Sequence, residues 1–188
     1  MKREGEKVVI RDWETNDIDA YVNAHIGIHP WMEYDGPYYE KPDEAEVLKR
    51  VKQWQIEAAE DRVRTCLVIA DKSSNRFIGT VTWYWQSKET HWASAGIVIY
   101  REDDWTKGYG SDAFPMWISY LFEANPEWVH LDFRTWSGNP RMVKLGEKLG
   151  FQQEACFRKA RIVKGKYYDS IAMGILRTEW EQLSAKTD

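Results

Sequence analysis

The chain has 188 residues, of which 43% are hydrophobic and 30% charged, with a formal charge of −4. That length and balance fit one globular domain (residues 1–188) with an ordinary core, and they exclude a disordered chain. The acidic balance argues against a nucleic-acid binder, and no run reaches the roughly 18 apolar residues of a membrane span. Cys66 and Cys156 make no disulfide framework, and no apolar stretch follows the basic start, so a cytoplasmic protein is expected.

In chain order, Val8–Arg11 reads as a first strand, and Thr15 as the N-cap of a helix with Ile18, Tyr21 and Val22 on its stripe. Three prolines and a glycine make "HPWMEYDGPYYEKP" (29–42) a loop. Asp43 caps a second helix, whose apolar face is Val47, Leu48, Val51, Trp54 and Ala58. The period then changes, and 65–70, 77–85 and 92–100 read as antiparallel strands. Tyr109, Ala113, Met116, Trp117, Tyr120 and Leu121 form the next helical stripe, with Pro115 inside it as the point for a bend or a frayed first turn. A strand at 128–136 precedes a helix capped by Asn139, with Pro140 at its first position, Met142, Leu145, Gly146 and Leu149 facing inward, and Gly150 as its stop. Two strands joined by a turn at Lys164–Lys166 and a short helix around Glu179–Leu183 complete the chain. The order gives a mixed α/β (α+β) single domain.

"DDWTKGYGSDAF" (103–114) places Gly108 and Gly110 where a helix begins. Main-chain N–H groups at a helix start bind phosphate without basic side chains, and glycines allow close approach. The loop lacks the Gly-x4-Gly-Lys-Ser/Thr of a P-loop. Gly108, Gly110 and Ala113 match the dinucleotide fingerprint Gly-x-Gly-x-x-Ala, with Asp132 placed as a ribose-binding acid. That fingerprint opens directly from a strand, whereas "REDDWTK" intervenes here, so a nicotinamide oxidoreductase is the weaker alternative.

"GIVIYREDDWTKGYGSDA" resembles motif A of the Gcn5-related N-acetyltransferases (GNAT), whose loop is Arg/Gln-x-x-Gly-x-Gly/Ala, with an aromatic at the first position (here Trp105) in the subgroup of ribosomal-protein N-terminal and spermidine acetyltransferases. "SGNPRMVKLGEKLGF" resembles that family's second motif, and "RKARIVKGKYYDSIAMGILRTEW" its closing hairpin. The resemblance runs in order from about residue 65 to 180. It implies a mostly antiparallel twisted sheet of about seven strands flanked by helices, with a splay between the fourth and fifth. Acetyl-CoA is implied as co-substrate, with no metal, and a homodimer is compatible. The pyrophosphate would lie over Trp105, Thr106, Lys107, Gly108, Tyr109, Gly110 and Ser111. The pantetheine would run along Val98, Ile99 and Tyr100, with Asn139 meeting it.

Direct transfer of acetyl to an amine needs a neutral amine, an oxyanion donor and a proton for the leaving thiolate. A backbone N–H near Ile99–Tyr100 would supply the donor. Many family members carry a tyrosine general acid where this chain has Gly146, and a serine of the second motif is replaced by Met142. Tyr100, Tyr84 and water remain as proton donors. A non-catalytic acyl-CoA-binding module is therefore a second alternative. Trp31, Tyr34, Tyr38 and Tyr39, with Glu33, Asp35 and Glu40, could hold a cationic acceptor, and Glu33 is the choice for base or amine anchor. His25, His29, His91 and His130 show no metal-ligand spacing. The basic run Arg158, Lys159, Arg161, Lys164 and Lys166 is read as the outer face of the hairpin.

Overall fold

The computed structural model describes residues 1–185. Its strands are β1 (Lys2–Glu4), β2 (Val8–Arg11), β3 (Cys66–Asp71), β4 (Phe77–Ser87), β5 (Trp92–Ile99), β6 (His130–Trp136), β7 (Gln152–Val163) and β8 (Lys166–Leu176). Its helices are α1 (Thr15–His25), α2 (Glu44–Ala59), α3 (Tyr109–Ala124), α4 (Pro140–Lys148) and α5 (Arg177–Ser184), with 3-10 turns at Pro30–Glu33 and Glu102–Asp104. The strands hydrogen-bond in the order β1-β2-β3-β4-β5-β6-β8-β7, a mixed sheet of eight. The strand beyond the expected seven is β1, whose Lys-Arg-Glu carries no apolar alternation and which is made by antiparallel pairing with β2. The expected fourth and fifth strands are thus β5 and β6. They are parallel, with a ladder of two pairs, Ala93↔Leu131 and Ser94↔Asp132, at the N-terminal end of each strand.

Contacts gather into two compact units. The first comprises Met1–Thr82 and Ile97–Trp117. Its sheet residues Val8, Ile10, Leu67, Val68, Ile69 and Val81 are all fully buried. Helix α1 begins one residue earlier than expected: Glu14 is the N-cap, and Thr15 is already helical. The cause is Asp17, whose carboxylate accepts the Glu14 N–H at 2.8 Å and the Arg11 guanidinium at 2.6 and 3.1 Å. Asp43 caps α2 as expected, accepting the Glu46 N–H at 2.8 Å. Val47 and Val51 are buried, whereas Leu48 stands 43% exposed and is not part of that face.

The second unit comprises Trp83–Gly96 and the chain from Ile118 onward. Leu131, Phe133 and Trp128 are its buried centre, with Trp83, Trp85 and Trp128 packed edge to face at about 5 Å. Asn139 caps α4 through the Met142 N–H at 3.2 Å, with Pro140 in the first turn. Gly150, at φ +85, ends that helix. Lys164 and Gly165 both have positive φ, the condition for a two-residue type I′ hairpin. The buried face of α3 also departs from the expected stripe. Ala113, Phe114, Trp117, Ile118, Leu121 and Phe122 are buried, while Tyr109, Met116 and Tyr120 are half-buried. The helix continues through Pro115.

Candidate functional site

Within the first unit, β5 ends at Ile99 and Tyr100 pairs back to β4, its N–H donating to the Ile78 carbonyl at 3.1 Å. The Val98 carbonyl also lies against β4, so close that a Cβ on Gly79 would stand 2.0 Å from it. Amide groups alternate sides along a strand. The Ile99 peptide groups therefore face the opposite edge, where the Ile99 carbonyl accepts the Trp105 indole N–H at 2.8 Å. Of Val98, Ile99 and Tyr100, it is Ile99 that presents a backbone N–H to that edge.

The loop then turns sharply, with Thr106 at φ +63 and Gly108 at φ +87. Helix α3 starts at Tyr109, so Gly110 and Ser111 lie inside its first turn. The Asp112 N–H takes the Gly108 carbonyl at 3.1 Å and is the first helical bond. The N–H groups of Tyr109, Gly110 and Ser111 thus have no acceptor within the helix, and the positive end of the helix dipole lies at the same place.

The acids around this loop are engaged elsewhere. Asp112 accepts three backbone N–H groups, from Glu6 (3.0 Å), Lys7 (2.8 Å) and Val8 (2.9 Å). Asp104 is buried and accepts both guanidinium nitrogens of Arg76 (2.8 and 2.9 Å) and the Lys107 ammonium at 3.1 Å. Burial works against the Asp104 carboxylate, but Arg76 and Lys107 hold its pKa below the ordinary range. Asp103 and Glu102 are exposed, Asp103 beside Arg101 at 3.4 Å. The charge of Lys107 is thus spent on Asp104, while its carbonyl accepts the Lys7 ammonium at 2.8 Å. The groups that the loop leaves without helical partners are main-chain N–H groups, and the Lys7 ammonium stands beside Gly108. A recess of about 410 Å³ lined by Glu6, Lys7, Asp71, Lys72, Ser73, Lys107 and Tyr109 lies beside the loop.

The loop after α1 packs onto the end of β5. Trp31 is buried, donates its indole N–H to the Ala24 carbonyl at 2.9 Å, and sets its ring 5.2 Å from that of Tyr100. Tyr34 meets Trp105 edge to face at 5.4 Å. Glu33 closes the 3-10 turn and is exposed, as is Asp35. Tyr100 is buried, with its hydroxyl 3.0 Å from Thr80 Oγ1 and its ring stacked on Phe77. Burial pushes its phenol well above the ordinary range and keeps it protonated.

One residue of this region was not singled out by sequence spacing. His25 is buried, with its ring 5.1 Å from Trp31 and 5.2 Å from Tyr100. Its Nδ1 lies 2.8 Å from the Tyr21 carbonyl, which can only accept, so Nδ1 carries the proton of the neutral ring. Burial lowers its pKa, and the nearby charges of Arg50, His29 and Lys41 act in the same direction. No spacing in the sequence marks a single histidine at the end of a helix.

The structure thus brings Glu33, Val98, Ile99, Tyr100 and Trp105–Ser111 into one unit. Asn139 belongs to the other unit, where its side chain caps α4. There too the Gly146 position has a steric explanation: a Cβ would lie 2.5 Å from the Phe133 ring, which leaves no room for a tyrosine. Asp132 is fully buried and held by Ser94, by Trp92 at 3.0 Å and by Arg134 at 3.1 Å. It is not available to a ribose, which removes the dinucleotide reading. Among the described residues no group of three or more histidines, cysteines or acids is placed to hold a metal, and no helix is long and apolar enough to cross a membrane.

A family model described as an acetyltransferase (GNAT) domain matches residues 7–152. An uncharacterized N-acetyltransferase derived from the SPbeta prophage of Bacillus subtilis is 26% identical over 177 residues, 94% of each chain. The ribosomal-protein-S5-alanine acetyltransferase from Vibrio fischeri has a similar fold, with a TM-score of 0.76 at 20% identity over 96% of this chain and 98% of that one. So does the spermidine N-acetyltransferase from Vibrio cholerae, solved with CoA and spermine, with a TM-score of 0.73 at 20% identity over 93% and 98% of the two chains.

Proposed function

The chain belongs to the GNAT acetyltransferase family and is an acyltransferase, and on that premise we propose that it moves an acetyl group from acetyl-CoA directly to a primary amine of a small molecule, a polyamine or a protein N-terminus. The observation that carries this reading is the first turn of α3: three main-chain N–H groups without helical partners, flanked by acids whose carboxylates are bound elsewhere. A pyrophosphate placed there meets the dipole and the N–H groups without meeting Asp104 or Asp112.

The Ile99 N–H, on the open edge of β5, is the donor for the oxyanion formed as the amine attacks the thioester. Glu33, exposed at the end of its turn, anchors the acceptor ammonium and takes its proton. The departing thiolate is protonated by Tyr100 or by water. A thiolate with an ordinary pKa near 8.5 is a good leaving group, and a phenol raised above 10 is a weak donor to it. Tyr100→Phe is therefore expected to slow turnover by less than about tenfold.

Calorimetry with Gly110→Asp tests the cradle. The added carboxylate stands in the first turn of α3, and acetyl-CoA binding is expected to vanish while circular dichroism stays unchanged. Unchanged affinity overturns the reading. Thiol release from acetyl-CoA across a panel of amines, polyamines and N-terminal peptides then finds the acceptor. Binding with no amine-stimulated release favours a non-catalytic acyl-CoA module.

A further inference from the structure

The loop that carries Glu33 also carries an amine of the protein's own. Lys41 is an exposed side chain whose Nζ folds back over the Trp31 ring, 5.5 Å from its centroid. Trp31 is itself fixed by Ala24 and lies in ring contact with Tyr100, the residue that follows β5. Main-chain bonds and a proline shape the segment between. Asp35 N–H bonds the Trp31 carbonyl at 3.1 Å, Tyr39 N–H bonds the Gly36 carbonyl at 2.9 Å, and Pro42 restricts the backbone of Lys41. The ammonium is thus held on an aromatic platform one ring away from the strand end where the thioester is read to lie.

We propose that Lys41 is a self-acetylation site, its amine attacking the acetyl carbonyl of acetyl-CoA bound to the same chain. The proposal rests on the acetyl-CoA reading above. Lys41 first releases a proton to solvent. Its Nζ lone pair forms the C–N bond, the C–S bond breaks, and the second nitrogen proton passes to the thiolate, leaving an acetamide and free CoA thiol. Two features suit Lys41 to this step. Its pKa is lowered by partial burial of the side chain, opposed by the Asp35 carboxylate, so more of it is neutral than of an ordinary lysine. Its tethering also replaces a bimolecular encounter. Lys49 and Lys52, exposed on α2, serve as the comparison.

The test incubates the full chain with acetyl-CoA and no added acceptor and follows acetylation of each lysine by peptide mass mapping. Lys41 is expected to be modified about tenfold or more faster than Lys49 and Lys52. The rate should saturate with acetyl-CoA and be independent of protein concentration. Lys41→Arg should reduce total incorporation to the level of the remaining lysines, and Gly110→Asp should abolish the preference for Lys41. A small acetyl thioester lacking the nucleotide serves as the control; equal selectivity with it means intrinsic reactivity alone and overturns the proposal. Calorimetry on the same sample separates the two readings. Acetyl-CoA binding without preferential labelling of Lys41 overturns self-acetylation only, whereas no binding overturns both.

Discussion

At the residue scale, single side chains here do work that their sequence neighbourhood does not advertise. Asp112 looks in the sequence like an obstacle to an anion site, yet it accepts the N–H groups of Glu6 and Lys7 in the β1–β2 turn and of Val8 at the start of β2. Gly5 has no side chain because a Cβ there would lie 2.5 Å from that carboxylate. Asp112→Ala is expected to cost about 1–2 kcal/mol by urea unfolding, because the N–H groups are partly open to water, and Asp112→Asn to recover part of it. His25 sets a pH dependence with a definite sign. Its folded pKa lies below the unfolded value near 6.5, so the unfolded chain binds the proton more readily. Its contribution to stability is full above about pH 6.5 and is lost as pH falls through and below that value. Unfolding midpoints measured from pH 8 to 5.5 should fall more steeply in the wild type than in His25→Asn, in which that proton site is gone. Parallel slopes would show that the imidazole carries no such linkage.

At the element scale, most of the fold was legible. Caps and breakers act over a few residues, so Asp43, Asn139, Gly150 and the Lys164–Gly165 turn were read correctly. The failures have physical causes. Strand β1 is polar and exists through pairing with β2 alone. The α1 cap moved because a buried Arg11–Asp17 pair, unseen in local sequence, fixes Glu14. The α3 face shifted because a helix apolar over most of its surface from Ala113 to Phe122 offers several stripes and tertiary packing chooses among them. The glycine loop was legible as a loop, but the direction of each peptide group depends on pairing with β4, and that pairing is what singles out Ile99. Where β5 and β6 begin, Asp132 is buried with Ser94, Trp92 and Arg134. Asp132→Ala should cost about 3–5 kcal/mol, since it leaves a guanidinium and a buried hydroxyl without their acceptor. Thermal unfolding of Asp132→Ala beside Ser94→Ala checks whether the carboxylate, rather than the hydroxyl, carries that cost.

At the scale of the whole molecule, a ligand that binds only the folded chain stabilises it by mass action, by about 2.7 kcal/mol at a hundred times its dissociation constant. For a chain of 188 residues that corresponds to a rise in melting temperature of roughly 5–10 °C. Acetyl-CoA is therefore expected to raise the melting temperature in a concentration-dependent way, and NADH is not, because the acid a dinucleotide would need is buried against Ser94 and Trp92. The Gly110→Asp variant should melt at nearly the wild-type temperature without ligand and show no rise with acetyl-CoA. That pairing matters because the loop lies where β5, the 3-10 turn and α3 meet, and a substitution there could act on folding instead of binding. A variant that keeps its unliganded stability and loses only the ligand-dependent rise assigns the glycine to the cofactor. One that melts early with a normal rise assigns it to the fold, and the main-chain cradle fails.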